Sequence, residues 1–234
     1  MQKEMSIITG GSSGLGLEIA KMYVKNRQNI CIVSQTKKNL EQAKVTLEKI
    51  NGDCFVTAIQ ANVADESSVS NVFKTIDSEG YSISSLYNCA GIGLFGEASD
   101  VTKDMVESLL QANFIGLILF STHAINAMKK NGGTIVNIMS SAAKKGNPLE
   151  SIYCGVKWGA RGYTEAITAA MKGSKTRVLA VYPGGMDTPF WKPGCGLSPD
   201  TSKFMAPSEV ASTIYYSVVE RASMKITELS IDRK

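Results

Sequence analysis

The stretch Thr9-Gly10-Gly11-Ser12-Ser13-Gly14-Leu15-Gly16 decides how the rest of the chain is read. An apolar run over residues 5–9 leads into it and a helical pattern over residues 14–25 leads out, so the spacing predicts a strand that turns sharply into a helix. Gly10 permits the tight turn, Gly14 lets backbone approach a pyrophosphate, and Gly16 allows the helix to pack close on the sheet. The start of such a helix offers unpaired N–H groups and a positive dipole end to phosphates. A purely structural strand-to-helix turn has the same composition, so the glycines need support from the rest of the chain.

Outward from this turn, short apolar runs alternate with helix-length segments. Residues 30–34, 54–59, 84–88, 133–139 and 177–182 read as further buried strands, and 40–50, 66–78, 103–130 and 152–172 as helices. A helix over 207–220 and a strand over 225–231 complete the series. The alternation predicts an α/β fold: a doubly wound parallel sheet of the Rossmann type with helices on both faces. At 234 residues it forms one domain, 1–234. Between Pro183 and Pro207 the chain is rich in Pro and Gly, including Pro193, which marks a long irregular segment over a site.

The spacing T-G-x-x-x-G-x-G resembles that of the short-chain dehydrogenase/reductase superfamily, and the resemblance extends over nearly the whole chain. Asn88-Cys89-Ala90-Gly91 is similar to the family's N-N-A-G segment, with Cys89 in place of the second Asn. Pro183-Gly184-Gly185-Met186-Asp187-Thr188 resembles its P-G-x-x-x-T segment. The resemblance implies cofactor contacts from Gly10, Ser12, Ser13, Gly14, Leu15 and Gly16, from Asn88, Ala90 and Gly91, and from Pro183, Gly184, Met186 and Thr188. Taken as residues alone, the two later segments are plain turns.

Tyr153 and Lys157 stand four residues apart near the start of a helix, so both project from one face. Carbonyl reduction needs a proton donor beside the hydride donor, and alcohol oxidation needs the same group as base. A free Tyr, with a pKa of about 10, must be made more acidic to serve near neutral pH. A nearby Lys ammonium, the oxidised nicotinamide and the helix N-terminus all favour the tyrosinate. A bare Y-x-x-x-K is more often packing, but Ser140 precedes Tyr153 by 13 residues at a strand end, where ligands bind in such sheets. The resemblance places the catalytic serine at Ser140, with Ser141 as the alternative. It also matches Asn113 to a helical asparagine that holds a water in a proton relay with the lysine, the other reading being a polar residue that kinks the helix. The single histidine, His123, reads as a packing or surface residue, and no metal site is expected. Trp158, Trp191 and the methionines read as core or pocket lining.

Ser34-Gln35-Thr36-Lys37-Lys38 follows the second strand, where users of NAD carry an acid for the ribose hydroxyl. Ser34 stands in that place, which favours NADP(H), with Lys37 or Lys38 as phosphate partners and NAD(H) still open. Gln35 and Ser13 stand where the family's NADP-marking basic residues would be, and the lysine pair is equally a solvated helix start. Asn62-Val63 resembles the family's adenine-contacting pair.

Bulk properties bound the rest. Hydrophobic residues make up 44% and charged residues 20%, an ordinary globular mixture. The net charge of +4 is scattered, which argues against nucleic-acid binding. No apolar run is expected to reach the roughly 18 residues of a membrane span, and residues 1–6 lack a signal-peptide pattern. Five widely spaced cysteines have no C-x-x-C pair. A cytoplasmic protein without membrane contact follows as the expectation. The reaction expected is hydride transfer between the cofactor and a small-molecule carbonyl or secondary alcohol, under a covering segment at about 187–206 with Phe190, Trp191, Leu94 and Phe95 as apolar lining. A catalytically idle sensor or scaffold is the alternative, disfavoured by the intact Ser, Tyr and Lys. An isomerase or dehydratase is disfavoured by the lack of an appended substrate domain. The resemblance further implies a homodimer or homotetramer built through the helices bearing Asn113 and Tyr153.

Overall fold

Strands without a polar face need cover on both sides, and the alternation of these strands with amphipathic helices supplies it. The computed structural model describes residues 3–191, 194–218 and 224–234. Its strands are β1 (Lys3–Thr9), β2 (Asn29–Ser34), β3 (Val56–Gln60), β4 (Tyr81–Asn88), β5 (Gly133–Ile138), β6 (Thr176–Pro183) and β7 (Glu228–Ile231). They form one parallel sheet in the order β3-β2-β1-β4-β5-β6-β7. The helices are α1 (Gly14–Lys25), α2 (Lys37–Glu48), α3 (Glu66–Ser78), α4 (Lys103–Leu110), α5 (Gly116–Ala127), α6 (Ser151–Ala170) and α7 (Pro207–Val218).

Successive residues of each strand feed opposite cores. Ile8, Ile30 and Ile32 pack with Ile19 of α1, Leu47 of α2 and Ile214 of α7. Their neighbours Ile7, Cys31 and Val33 pack with Val69 and Ile76 of α3 and Phe120 of α5. Strand order reverses between β1 and β4, and that reversal opens a crevice at the carboxyl ends of the strands. The glycine-rich turn, the 89–91 turn, Ser140 and Pro183–Gly184 all follow strands whose ends border it.

Several boundaries differ from expectation: β4 begins at Tyr81 rather than 84, α2 spans Lys37–Glu48 rather than 40–50, and two differences are larger in consequence. The helix expected over 103–130 is one continuous helical segment, Lys103–Ala127, in which α4 and α5 are joined by a π-helical turn at Gln111–Ile115. An 18-residue window of it has a mean hydropathy of 1.4, so it is long and apolar enough to cross a membrane, contrary to the expectation. Asn113 and Gly116 look like interruptions in a linear scan, but the helix runs through both. One face of it packs into the core, where Asn113, Leu117, Phe120 and Ala124 are buried and the bare face of Gly116 receives Val63, while the apolar window as a whole is 39% buried. The final strand is shorter than expected, and Glu220 and Pro193 lie outside the described residues.

Candidate active site

The crevice opens into a cavity of about 850 Å³. At one end, Gly10 takes φ +65°, which a residue with a side chain adopts at a cost, and a Cβ there would lie 3.0 Å from Ala90 backbone. The turns after β1 and β4 therefore touch. Thr9 Oγ1 fastens them, accepting from the N–H groups of Cys89 and Ala90 at 3.1 Å each. A Cβ on Gly16 would lie 2.5 Å from Gly10 O, so α1 starts directly on the turn. The first N–H groups of α1 have no intrahelical partner, and the Ser13 side chain makes no capping bond to them. They form an open donor set for an anion, with Thr188 facing Gly14 across the gap.

At the other end, Ser140 follows β5 in extended conformation and its Oγ accepts from Ala142 N at 3.1 Å. Tyr153 lies in the first turn of α6 and Lys157 in the next, both almost fully buried. Burial pushes the Tyr153 phenol up from its ordinary 10, and the Ser140 hydroxyl pulls it back. Ser140 is thus the serine that acts on the phenol, while Ser141 opens the following short turn but also lines the cavity. Burial pushes the Lys157 ammonium down to about 8. Its Nζ donates to Ile138 O at 3.4 Å and lies 5.6 Å from the Tyr153 ring centre. In this chain by itself the protonated phenol is therefore the favoured form, not the tyrosinate expected from a nearby ammonium: desolvation is the largest influence on Tyr153, and Lys157 is not among the groups that shift it.

Asn113 sits in the π turn, a device that reorients one side chain within a helix. Its Nδ2 donates to Ile92 O at 3.0 Å and Leu109 O at 3.1 Å, while its Oδ1 is buried with no hydrogen-bond partner among the described residues. That acceptor points to Gly91, which Lys157 Nζ also approaches.

Most residues expected at the site line this one cavity: Gly10 and residues 12–16, Ala90, Gly91, Asn113, Ser140, Tyr153, Lys157, Pro183, Gly184, Met186 and Thr188. Others do not. Asn88 is buried in the sheet, where its Nδ2 donates to Ser121 Oγ at 3.0 Å and Asn137 Oδ1 at 2.8 Å, so it supports the strands from below. Ser34 stands behind Ser12, whose hydroxyl it accepts at 2.8 Å. Gln35 is exposed and bonded through its carbonyl to Gln60, and Lys37 extends over Glu41 at 4.0 Å. Lys38 is exposed away from the cavity wall. Asn62 closes a local turn by accepting from Ala64 N, and Val63 packs under Gly116. Phe95, Phe190 and Trp191 line the cavity as expected, whereas Leu94 does not, and Trp158 is 47% exposed beside Arg161. Asn39, Gln42 and Thr46 on one face of α2, together with Glu150 and Arg233, line the cavity and went unnoticed in the sequence. Only the i, i+3, i+7 spacing on α2 offered a signal.

A nicotinamide dinucleotide fits this donor set: a cavity of about 850 Å³, a glycine cradle that a Cβ on Gly10 or Gly16 would crowd, open helix N–H groups at one end, and an unpartnered buried Asn113 Oδ1 beside Lys157 at the other.

The short chain dehydrogenase family model matches residues 4–194. The bovine (Bos taurus) 3-ketodihydrosphingosine reductase is 31% identical over 225 residues, 92% of this chain and 68% of that protein. The human (Homo sapiens) 3-oxoacyl-[acyl-carrier-protein] reductase is 32% identical over 187 residues, 79% of this chain and 76% of that protein. Among solved structures, a short-chain dehydrogenase/reductase from Vibrio parahaemolyticus superposes with a TM-score of 0.84 at 27% identity, covering 98% of this chain and all of that one. The chain belongs to the short-chain dehydrogenase/reductase superfamily of NAD(P)-binding oxidoreductases.

Proposed function

We propose that the chain reduces a small-molecule carbonyl compound with NADP(H), with Tyr153 as the proton donor. The observation that carries this reading is the convergence of Ser140, Tyr153, Lys157 and Asn113 at one end of a cavity whose other end is the glycine-built anion cradle. The relatives described above, named as reductases of keto and oxo compounds, support the direction.

When bound, the nicotinamide supplies the hydride. Tyr153, kept protonated by burial, gives its proton to the carbonyl oxygen, and the Ser140 hydroxyl holds that oxygen in place. Lys157, anchored by one bond to Ile138 O, keeps further N–H donors for the ribose hydroxyls and favours the tyrosinate left behind. Asn113 Oδ1 holds a water near Lys157, through which Tyr153 recovers its proton. The lack of an acid at Ser34 and the neutral wall of Ser12, Ser13, Asn39 and Gln42 support NADP(H), with Lys37 and Lys38 adding a positive field at the start of α2. Five free thiols support a reducing compartment such as the cytoplasm. The apolar segment Lys103–Ala127, whose apolar window is only 39% buried, and the exposed Trp158 on α6 support a homodimer or homotetramer.

The test is to follow loss of reduced-nicotinamide absorbance with NADPH or NADH and a panel of aldehydes, ketones and diketones. Turnover is expected to fall at least about 100-fold in Tyr153→Phe while cofactor binding persists. An equally fast Phe variant would sink the mechanism, and cofactor binding without turnover of any carbonyl would favour an idle sensor.

A further inference from the structure

Two kinds of side chain meet around Tyr153. On one side is a wall of rings: Phe95 lies 5.3 Å from Tyr153 edge-on, Phe190 lies 5.9 Å from it, and Trp191 stands 5.6 Å from Phe95 and 5.1 Å from Phe190. The wall is fixed in place. Phe95 N donates to Cys195 O at 2.8 Å, and Trp191 Nε1 donates to Met186 O at 3.1 Å.

Also lining this cavity is Glu150, one helical turn before Tyr153 and tied to that turn by the bond from Cys154 N to Glu150 O. Glu150 is half-buried and its side chain does not cap α6, although it is the residue at the cap. It accepts from Asn147 Nδ2 at 2.9 Å, and among the described residues no cation lies within ion-pair distance of it. Lys145 on the same rim is exposed and makes no ion pair with it, and Lys157 is buried against Ile138 O. The charge of Glu150 also raises the phenol pKa of Tyr153, which shows how close the two are electrostatically.

A carboxylate beside groups that must become negative during reduction opposes the reaction, and a positive charge that arrives with the substrate offsets it. The electron-rich faces of the aromatic wall attract the same charge. We infer that the cavity selects carbonyl compounds carrying an ammonium or quaternary ammonium group close to the carbonyl, held between Glu150 and the Phe95–Phe190–Trp191 wall. This rests on the reading that the Tyr153 end of the cavity takes a carbonyl substrate.

The probes are (2-oxopropyl)trimethylammonium and its uncharged carbon isostere, 4,4-dimethylpentan-2-one, which match in shape and differ in charge. Each is titrated into the protein with NADP+ present, and binding is read from Trp191 emission in a Trp158→Phe background. The cation is expected to bind about tenfold more tightly or better. Glu150→Gln brings the ratio close to one, and Glu150→Asp retains it. Equal binding of the two probes, a ratio that survives Glu150→Gln, loss of both ligands together in that variant, or no binding of the cation overturns the inference. Hydride transfer is followed with NADPH on the same pair. Reduction of the neutral ketone without a preference for the cation sinks the inference alone, whereas tighter cation binding without reduction of either ketone counts against the reductase reading instead.

Discussion

A Cβ built on Gly91 would lie 2.5 Å from Oδ1 of Asn113 and 3.8 Å from Nζ of Lys157. Gly91 thus keeps open the small space on which the π turn and α6 converge.

Gly91→Ala is expected to displace Asn113, whose Nδ2 is already committed to Ile92 O and Leu109 O and leaves the side chain little freedom to yield. Overpacking of this kind costs about 1–3 kcal/mol. Urea unfolding should show that loss, and kcat should fall more than KM rises, because the change strikes the proton path while leaving the substrate wall intact. A variant with wild-type kcat would mean that the space has no role in turnover.

Asn88→Ala makes the opposite division. Its loss leaves Asn137 Oδ1 and Ser121 short of a buried partner, at a cost of about 1–3 kcal/mol. The denaturation midpoint should drop while NADPH affinity, measured where the protein is folded, changes little. A large affinity loss at unchanged stability would return Asn88 to the cofactor site.

The strands were legible because runs such as Ile30–Ser34 have no polar face to expose, and Tyr153 and Lys157 because four residues make one helical turn. Ser140 was legible because it ends a strand on the crevice side. Asn88 ends a buried strand as expected, but its place among the cofactor contacts came from the resemblance, and only the assembled sheet turns its side chain onto Ser121 and Asn137. Lys37 and Lys38 were natural phosphate partners by charge, but the first turn of α2 aims them outward and presents Asn39 and Gln42 inward, which depends on how α2 leans on the sheet. Glu150 was invisible in sequence, since only the fold brings a lone carboxylate together with rings from residues 95 and 190–191.

The pH response of Lys157 can be signed. Burial lowers its pKa from 10.5 to about 8, so the folded chain holds this proton only below about pH 8. Cofactor affinity that uses the ammonium should be highest below that pH and weaken as pH rises through it. Stability moves the other way: between about 8 and 10.5 the unfolded chain binds more protons than the folded one, so this group makes stability rise with pH. Dissociation constants for NADPH across neutral to alkaline pH check the first effect, and Lys157→Met should flatten the profile.

Ser34→Asp tests cofactor choice. An acid there would stand behind Ser12, whose hydroxyl Ser34 now accepts at 2.8 Å, and would repel a 2′-phosphate while accepting from a ribose hydroxyl. NADPH affinity relative to NADH should fall by about tenfold or more, as one unfavourable charge contact of about 1.4 kcal/mol requires. An unchanged ratio would place the discriminating contacts elsewhere, with Asn39 and Gln42 next in line.

The π turn at Gln111–Ile115 carries one residue more than an unbroken α-helix needs for the same rise, and each residue turns the helix by about 100°. The half of the helix that packs on the Phe95–Tyr153 cluster and the half that packs on the sheet are therefore out of phase by that single step. Deleting Ala112 would let the two halves mesh as one regular helix, with Asn113 swung away from Gly91. Such a deletion should yield a chain that folds at least as readily and has no open acceptor beside Lys157, so helical regularity and proton traffic compete for the same residue.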